Sequence, residues 1–146
     1  MEFRTEELAA RPFVFVRVET KMHEIGEKIG EALAKVGPYV GENAAGMPVT
    51  RYVDWNEEGG GMEIGLPVRA PMEGEGDVQC GELIAGKVLT CTHVGPYDNL
   101  KQSWAALHAH IAEHDLPSRA APWEVYADDP GQTPIDQVRT LIYWPI

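Results

Sequence analysis

Cysteine is scarce in this sequence: Cys80 and Cys91 are the only two in 146 residues. Two are too few for a disulfide framework or a thiolate-rich zinc site, and they read as reduced strand residues of a cytoplasmic protein. Long hydrophobic runs are missing as well. No stretch approaches the roughly 20 apolar residues of a membrane-spanning helix, and the opening MEFRTEEL lacks the apolar segment of a secretory signal. Basic charge is in short supply, with 12 Lys and Arg against 23 Asp and Glu and a net charge of -11. That balance excludes nucleic acid as a direct partner, because phosphate binding needs a basic surface. Nucleophile motifs are absent too: Ser103 and Ser118 lack a glycine elbow, and neither cysteine sits beside a histidine in a recognisable pattern. Gly59-Gly60-Gly61 lacks the strand-to-helix context of a phosphate loop and reads as a hairpin turn. In HAHIAEH, His110 and His114 stand four apart, but without the HExxH order or a third ligand they read as a solvated helix end. No cofactor, no metal and no membrane association is expected.

What is present is an ordinary globular composition, 44% hydrophobic and 24% charged, in a length that suits a single domain, residues 1–146, with a genuine core. Acidic residues concentrate mid-chain at Asp54, Glu57, Glu58, Glu63, Glu73, Glu75 and Asp77, against Arg69. Such a run is ordinarily a solvated loop region; its sharper reading is a field that draws cations towards a nearby pocket.

The chain also repeats itself. FVFVRVE at 13–19 has strand composition. A helix follows, with Met22, Ile25, Ile29, Leu33 and Val36 three and four apart, and Gly37-Pro38 is expected to end it. PVTRYVDW, the glycine turn and MEIGLPV complete the first half. KVLTCTH at 87–93, a helix with Leu100, Trp104, Leu107 and Ile111 on one stripe, then WEVYADD and RTLIYWPI follow in the same order. Ile25 to Leu100, Ile29 to Trp104 and Val36 to Ile111 are each 75 residues apart, Pro48 to Pro122 is 74 and Pro67 to Pro145 is 78. These small drifts fit insertions confined to loops. The expected architecture is α+β, a pseudo-twofold duplication of a strand–helix–strand–strand unit. Repeat 1 spans about residues 12–68 and repeat 2 about 87–146, and the connector at 69–86 has room for one short strand. Such units combine into an antiparallel sheet with two helices packed on one side, and a ligand cleft is expected between the repeats.

One position breaks the symmetry. In PWEVYADDP, Glu124 aligns with Thr50 of PVTRYVDWN, as Tyr126 aligns with Tyr52. Strand alternation puts Glu124 and Tyr126 on one face and Trp123 and Val125 on the other, which is taken to be the core face. A carboxylate brought into an apolar site costs several kcal/mol unless partnered. Tyrosine hydroxyls can donate to it while their rings form an apolar wall, and Tyr126, Tyr143, Tyr52 and Tyr97 are available. Trp104 either joins the core with its helix stripe or walls a groove between helix and sheet. A carboxylate lined by aromatics suits a lipophilic cation; a solvent-exposed strand glutamate is the plain alternative.

His93-Val94-Gly95-Pro96-Tyr97, the mid-helix Trp104, Pro122-Trp123-Glu124-Val125-Tyr126 and Thr140-Leu141-Ile142-Tyr143-Trp144-Pro145 together resemble the GyrI-like small-molecule-binding domain, over roughly residues 12–146. That family includes gyrase-inhibitor-type proteins and the effector-binding halves of multidrug-responsive transcription regulators. The resemblance implies the doubled strand–helix–strand–strand fold and a strand glutamate, here Glu124, that meets cationic planar ligands in an aromatic cleft, with Tyr126, Tyr143 and Trp104 as walls. It implies a stand-alone binder of hydrophobic, often cationic aromatic molecules, since regulators of this kind carry an added helix-turn-helix domain for which this chain has no room. Two alternatives remain. One is hydrolysis of strained cyclopropane-bearing DNA-alkylating compounds, with Glu124 as general base and Tyr126 or Tyr143 orienting the electrophile. The other is an inhibitor module whose acidic surface meets a basic protein such as gyrase.

Overall fold

The computed structural model describes residues 1–146. Eight strands and two helices follow in the order β1 (Phe3–Leu8), β2 (Arg11–Lys21), α1 (Ile25–Val40), β3 (Val49–Asn56), β4 (Gly59–Pro67), β5 (Val78–Leu83), β6 (Gly86–Val94), α2 (Leu100–Glu113), β7 (Trp123–Tyr126) and β8 (Arg139–Pro145). The fold is α+β with every strand pair antiparallel. The chain forms two compact units, residues 9–85 and residues 1–8 with 86–146.

In the first unit the strands lie in the order β3-β4-β2-β5. Val14, Val16, Met62 and Ile64 point to one face, and α1 lays Ile25, Ile29, Ala32, Val36 and Val40 upon it. The three- and four-residue spacing of those side chains is what turns the helix into a lid for that face. The helix does not end at Gly37-Pro38. It runs through Pro38 to Val40 and stops at Gly41. Proline already holds a helical φ, and one more turn buries Val40 beside Val36, so packing overrides the breaker.

The glycine triplet departs from expectation as well. Gly59, Gly60 and Gly61 belong to β4, and the turn falls at Glu57-Glu58, where the Asn56 side chain accepts from the Glu58 N–H at 2.8 Å. The glycines serve close approach: a Cβ on Gly59, whose φ is +134°, would sit 2.0 Å from the Thr20 carbonyl oxygen.

The second unit repeats the pattern as β1-β6-β8-β7. Leu89, Cys91 and Ile142 form the face that α2 covers with Leu107, Leu100, Trp104 and Ile111. Its edge strand, β1, is the acidic N-terminal segment, which the repeat read from the sequence does not include. β1 and β5 are counterparts, since Phe3 to Val78 and Leu8 to Leu83 are both 75 residues. Each nevertheless pairs with the strand of the other half, β1 with β6 and β5 with β2. Each unit therefore takes its edge strand from the opposite repeat.

Candidate functional site

The β6-β8-β7 ladder sets the site. Residues directly opposite in an antiparallel pair point the same way, so two cross-strand rows share the face beneath α2. One row is Cys91, Ile142 and Glu124; the next is His93, Thr140 and Tyr126. Glu124 is thus directed to the helix-covered face, and Trp123, Leu141 and Tyr143 to the opposite one. This reverses the expected orientation, in which Trp123 and Val125 were the core side. The short β7 is covered from both sides, Glu124 being 2% exposed and Trp123 3%.

The buried carboxylate is held by two neutral donors. The Trp104 indole N–H, one stripe position along α2, donates to Oε1 at 2.6 Å, and the Tyr126 hydroxyl donates to Oε2 at 2.9 Å. Trp104 therefore does both things the sequence left open: its ring packs with the Leu107 cluster and its N–H serves Glu124. Neutral donors steady a carboxylate without cancelling its charge. Outside Tyr126 stands Tyr97, edge-on to it at 5.9 Å between centroids and 38% exposed. Its hydroxyl is pushed above the usual tyrosine range by burial and by the charges of Asp129, Glu124 and Asp128. Tyr97 and Tyr126 thus lead from solvent to the buried charge.

Two other expected wall residues make ring contacts of their own. Tyr143 stacks on Trp123 at 5.6 Å on the face away from Glu124, because strand alternation separates it from Ile142 and Glu124. Tyr52 belongs to the unit of residues 9–85, where it packs edge-on against Trp55 at 5.1 Å. His110 stacks between Phe3 and His114 at 4.2 Å on either side, and no three histidine, cysteine or acidic side chains form a metal-binding group. Cys91, though in the Glu124 row, has its thiol raised to about 11 by burial and stays protonated.

Three features escaped the sequence reading. His93, buried at the end of β6, bridges the Ser103 hydroxyl at 2.6 Å and the Pro96 carbonyl at 2.9 Å. Asp128, just beyond β7, takes the Arg139 backbone N–H at 3.0 Å and its guanidinium at 2.9 and 3.0 Å. Thr140, fully buried between His93 and Tyr126, has an Oγ1 without a partner. The signal for the first lay in the offset of 75, which sets His93 opposite Val18 and Ser103 opposite Lys28.

The family model of the GyrI-like small molecule binding domain matches residues 1–146. No curated protein matches the chain. Among solved structures, the EcmrR C-terminal domain superposes with a TM-score of 0.80 at 18% identity, over 99% of this chain and 96% of that one. SAV2435 bound to tetraphenylphosphonium gives 0.72 at 15%, covering 99% and 93%. A hydrolase encoded by lin2189 from Listeria innocua gives 0.62 at 13%, covering 99% and 91%. In the EcmrR–DNA complex the match, with a TM-score of 0.75 at 16% identity, covers 99% of this chain but 56% of EcmrR. No helix here is long and apolar enough to cross a membrane.

Proposed function

Because the chain belongs to the GyrI-like family of small-molecule-binding domains, we propose that it binds hydrophobic aromatic cations in the cytoplasm, with Glu124 supplying the charge and Trp104, Tyr126 and Tyr97 the aromatic surface. The observation that carries this reading is the buried Glu124 carboxylate, held by an indole and a phenol and approached from solvent by Tyr97. Aromatic faces attract cations through their quadrupole, and a negative charge in a low-dielectric surround acts further than one in water. The tetraphenylphosphonium bound to SAV2435 is a ligand of this class.

The energetics suit a modest, adaptable binder. A planar ligand burying about 250 Å² of apolar surface gains about 6 kcal/mol. The carboxylate adds about 1–3 kcal/mol, and association subtracts several. With an association cost of about 4 kcal/mol, about 3–5 kcal/mol remains, which is a Kd in the sub-millimolar to millimolar range.

Calorimetric titration with tetraphenylphosphonium tests this. Glu124→Gln is expected to raise Kd about 5- to 150-fold, the equivalent of about 1–3 kcal/mol, and to leave affinity for neutral triphenylphosphine oxide little changed. Equal affinity of wild type and variant for the cation would sink the role given to Glu124.

Hydrolysis is the second reading, favoured by the bond between Glu124 and Tyr126, which suits a base that activates water beside an aromatic-bound electrophile. Turnover of a cyclopropane-bearing alkylating compound, abolished by Glu124→Gln, would establish it; binding without product leaves the first reading in place.

A further inference from the structure

The bridge made by His93 is chemically unambiguous in one respect. The Pro96 carbonyl can only accept, so Nε2 carries the proton and donates to it at 2.9 Å. In the neutral imidazole Nδ1 is then an acceptor, and the Ser103 hydroxyl donates to it at 2.6 Å. His93 and Ser103 are 5% and 3% exposed, so neither bond competes with bulk water. One ring thus joins three successive pieces of chain: the end of β6, the turn that delivers Tyr97, and the first turn of α2, whose next residue is Trp104.

The turn has few other anchors. Gly95 has φ +122°, a conformation glycine tolerates, and its N–H donates to the Val138 carbonyl at 2.8 Å. Pro96 has no N–H to offer, and its carbonyl is shared between His93 and the Asn99 N–H at 3.1 Å. Tyr97, immediately after this carbonyl, contacts Tyr126 through its ring. In the other unit the counterparts by the offset of 75 are Val18, Lys28 and Met22 for His93, Ser103 and Tyr97. No such bridge is possible among those side chains.

We propose that His93 is a positioning residue of the ligand site, holding Tyr97 at the correct distance from Trp104 and Glu124 by gripping the Pro96 carbonyl and the Ser103 hydroxyl at once. This rests on the binding reading above for its consequence but not for its geometry. Two substitutions separate the two grips. In His93→Gln the amide reaches the Nε2 position and can still donate to Pro96. In His93→Asn it reaches only the Nδ1 position, serves Ser103 and releases the turn.

Tetraphenylphosphonium titration is the test, with urea midpoints recorded alongside. His93→Asn is expected to raise Kd about 3- to 10-fold, as for loss of one aromatic contact, and His93→Gln by less than about 2-fold. In a Tyr97→Ala background His93→Asn should add almost nothing, because both changes remove the same contact. Additive losses, or Gln as harmful as Asn, would overturn the proposal, since a role in stability alone predicts both. Should wild type fail to bind the cation, the binding reading falls and the geometry is judged by hydrogen exchange. His93→Asn should then speed exchange of the Asn99 amide, which shares the Pro96 carbonyl, while His93→Gln should not. Equal protection in the two variants would overturn the positioning role.

Discussion

The two units share a strand order and differ in what they put under the helix. In one, Thr50 lies opposite Ile64 and Tyr52 opposite Met62; in the other, Glu124 lies opposite Ile142 and Tyr126 opposite Thr140. The inner strands agree too, Val16 facing Ile64 as Cys91 faces Ile142, and Val18 facing Met62 as His93 faces Thr140. Five exchanges account for the contrast: Val18 for His93, Lys28 for Ser103, Ile29 for Trp104, Thr50 for Glu124 and Met62 for Thr140. The first unit closes its helix over valine, methionine and isoleucine. The second interrupts the same seam with groups that hydrogen-bond one another. Because the ladder fixes which side chains are neighbours, polar residues introduced on adjacent rows meet one another. The lesson is that a duplicated apolar core can take in a buried carboxylate by a few substitutions, provided donors for it come too.

The strongest way to break that comparison is to give the apolar unit a carboxylate without the indole partner. Thr50→Glu would place a charge where the helix offers Ile29 in place of the Trp104 indole. A buried carboxylate that lacks its indole donor costs about 3–5 kcal/mol, and urea unfolding should show a loss of that order. A loss below about 1 kcal/mol would mean that Glu124 owes its tolerance to something other than the Trp104 donor.

Most of this contrast was visible in the residues. The offsets of 75 and 74 found both helices and the strands that flank them, and the break at Thr50 and Glu124 identified the charged position. Periodicity could not tell which face of β7 was inward, because Trp123 is also buried and both faces look apolar. That ambiguity carried Tyr143 to the wrong side of the strand. The ladder partners of Glu124 are what decide it, and pairing between distant strands is not encoded in local spacing. The N-terminal β1 was hidden for a similar reason: FRTEEL is polar as an edge strand facing water is expected to be, so it reads as a tail. Pro38 and the glycine triplet misled because local breakers were weighed without the packing of Val40 and the close approach at Thr20.

A middle-sized effect comes from truncating the two helices at the matched position. Trp104→Phe keeps an aromatic ring and removes the N–H that serves Glu124, which should cost about 1–3 kcal/mol for the lost donor to a buried charge. Ile29→Val removes one methylene from the apolar seam and should cost about 0.5–1.5 kcal/mol. The two differ in kind as well as size. With Glu124→Leu in place, Trp104→Phe should become close to neutral, whereas Ile29→Val should cost the same in either background. Thermal or urea denaturation of the three single variants and the two doubles measures this. Equal costs of Trp104→Phe with and without the carboxylate would mean that the indole acts only as packing.

The smallest expected effect is at the surface, where each unit carries one close ion pair: Lys35 with Asp77 at 2.5 Å and Arg139 with Asp128 at 2.9 Å. The partner's hydrogen bond holds each aspartate below its ordinary value of 3.8. A carboxyl with a depressed folded value stabilises above the unfolded pKa and loses that contribution as pH falls through the folded value. Both pairs therefore stay intact at pH 5 and weaken only below 3.8. They are exposed, so Asp77→Asn should barely move the urea midpoint, and high salt should erase the difference. Asp128→Asn should be equally mild for stability but not for binding. Asp128 takes three donors from Arg139, closing the β7–β8 end two residues beyond Tyr126, and its charge is among those that reach Tyr97. Tetraphenylphosphonium affinity should fall about 2-fold in this variant and not in Asp77→Asn. Equal affinities in the two would confine the electrostatics of the site to Glu124 itself.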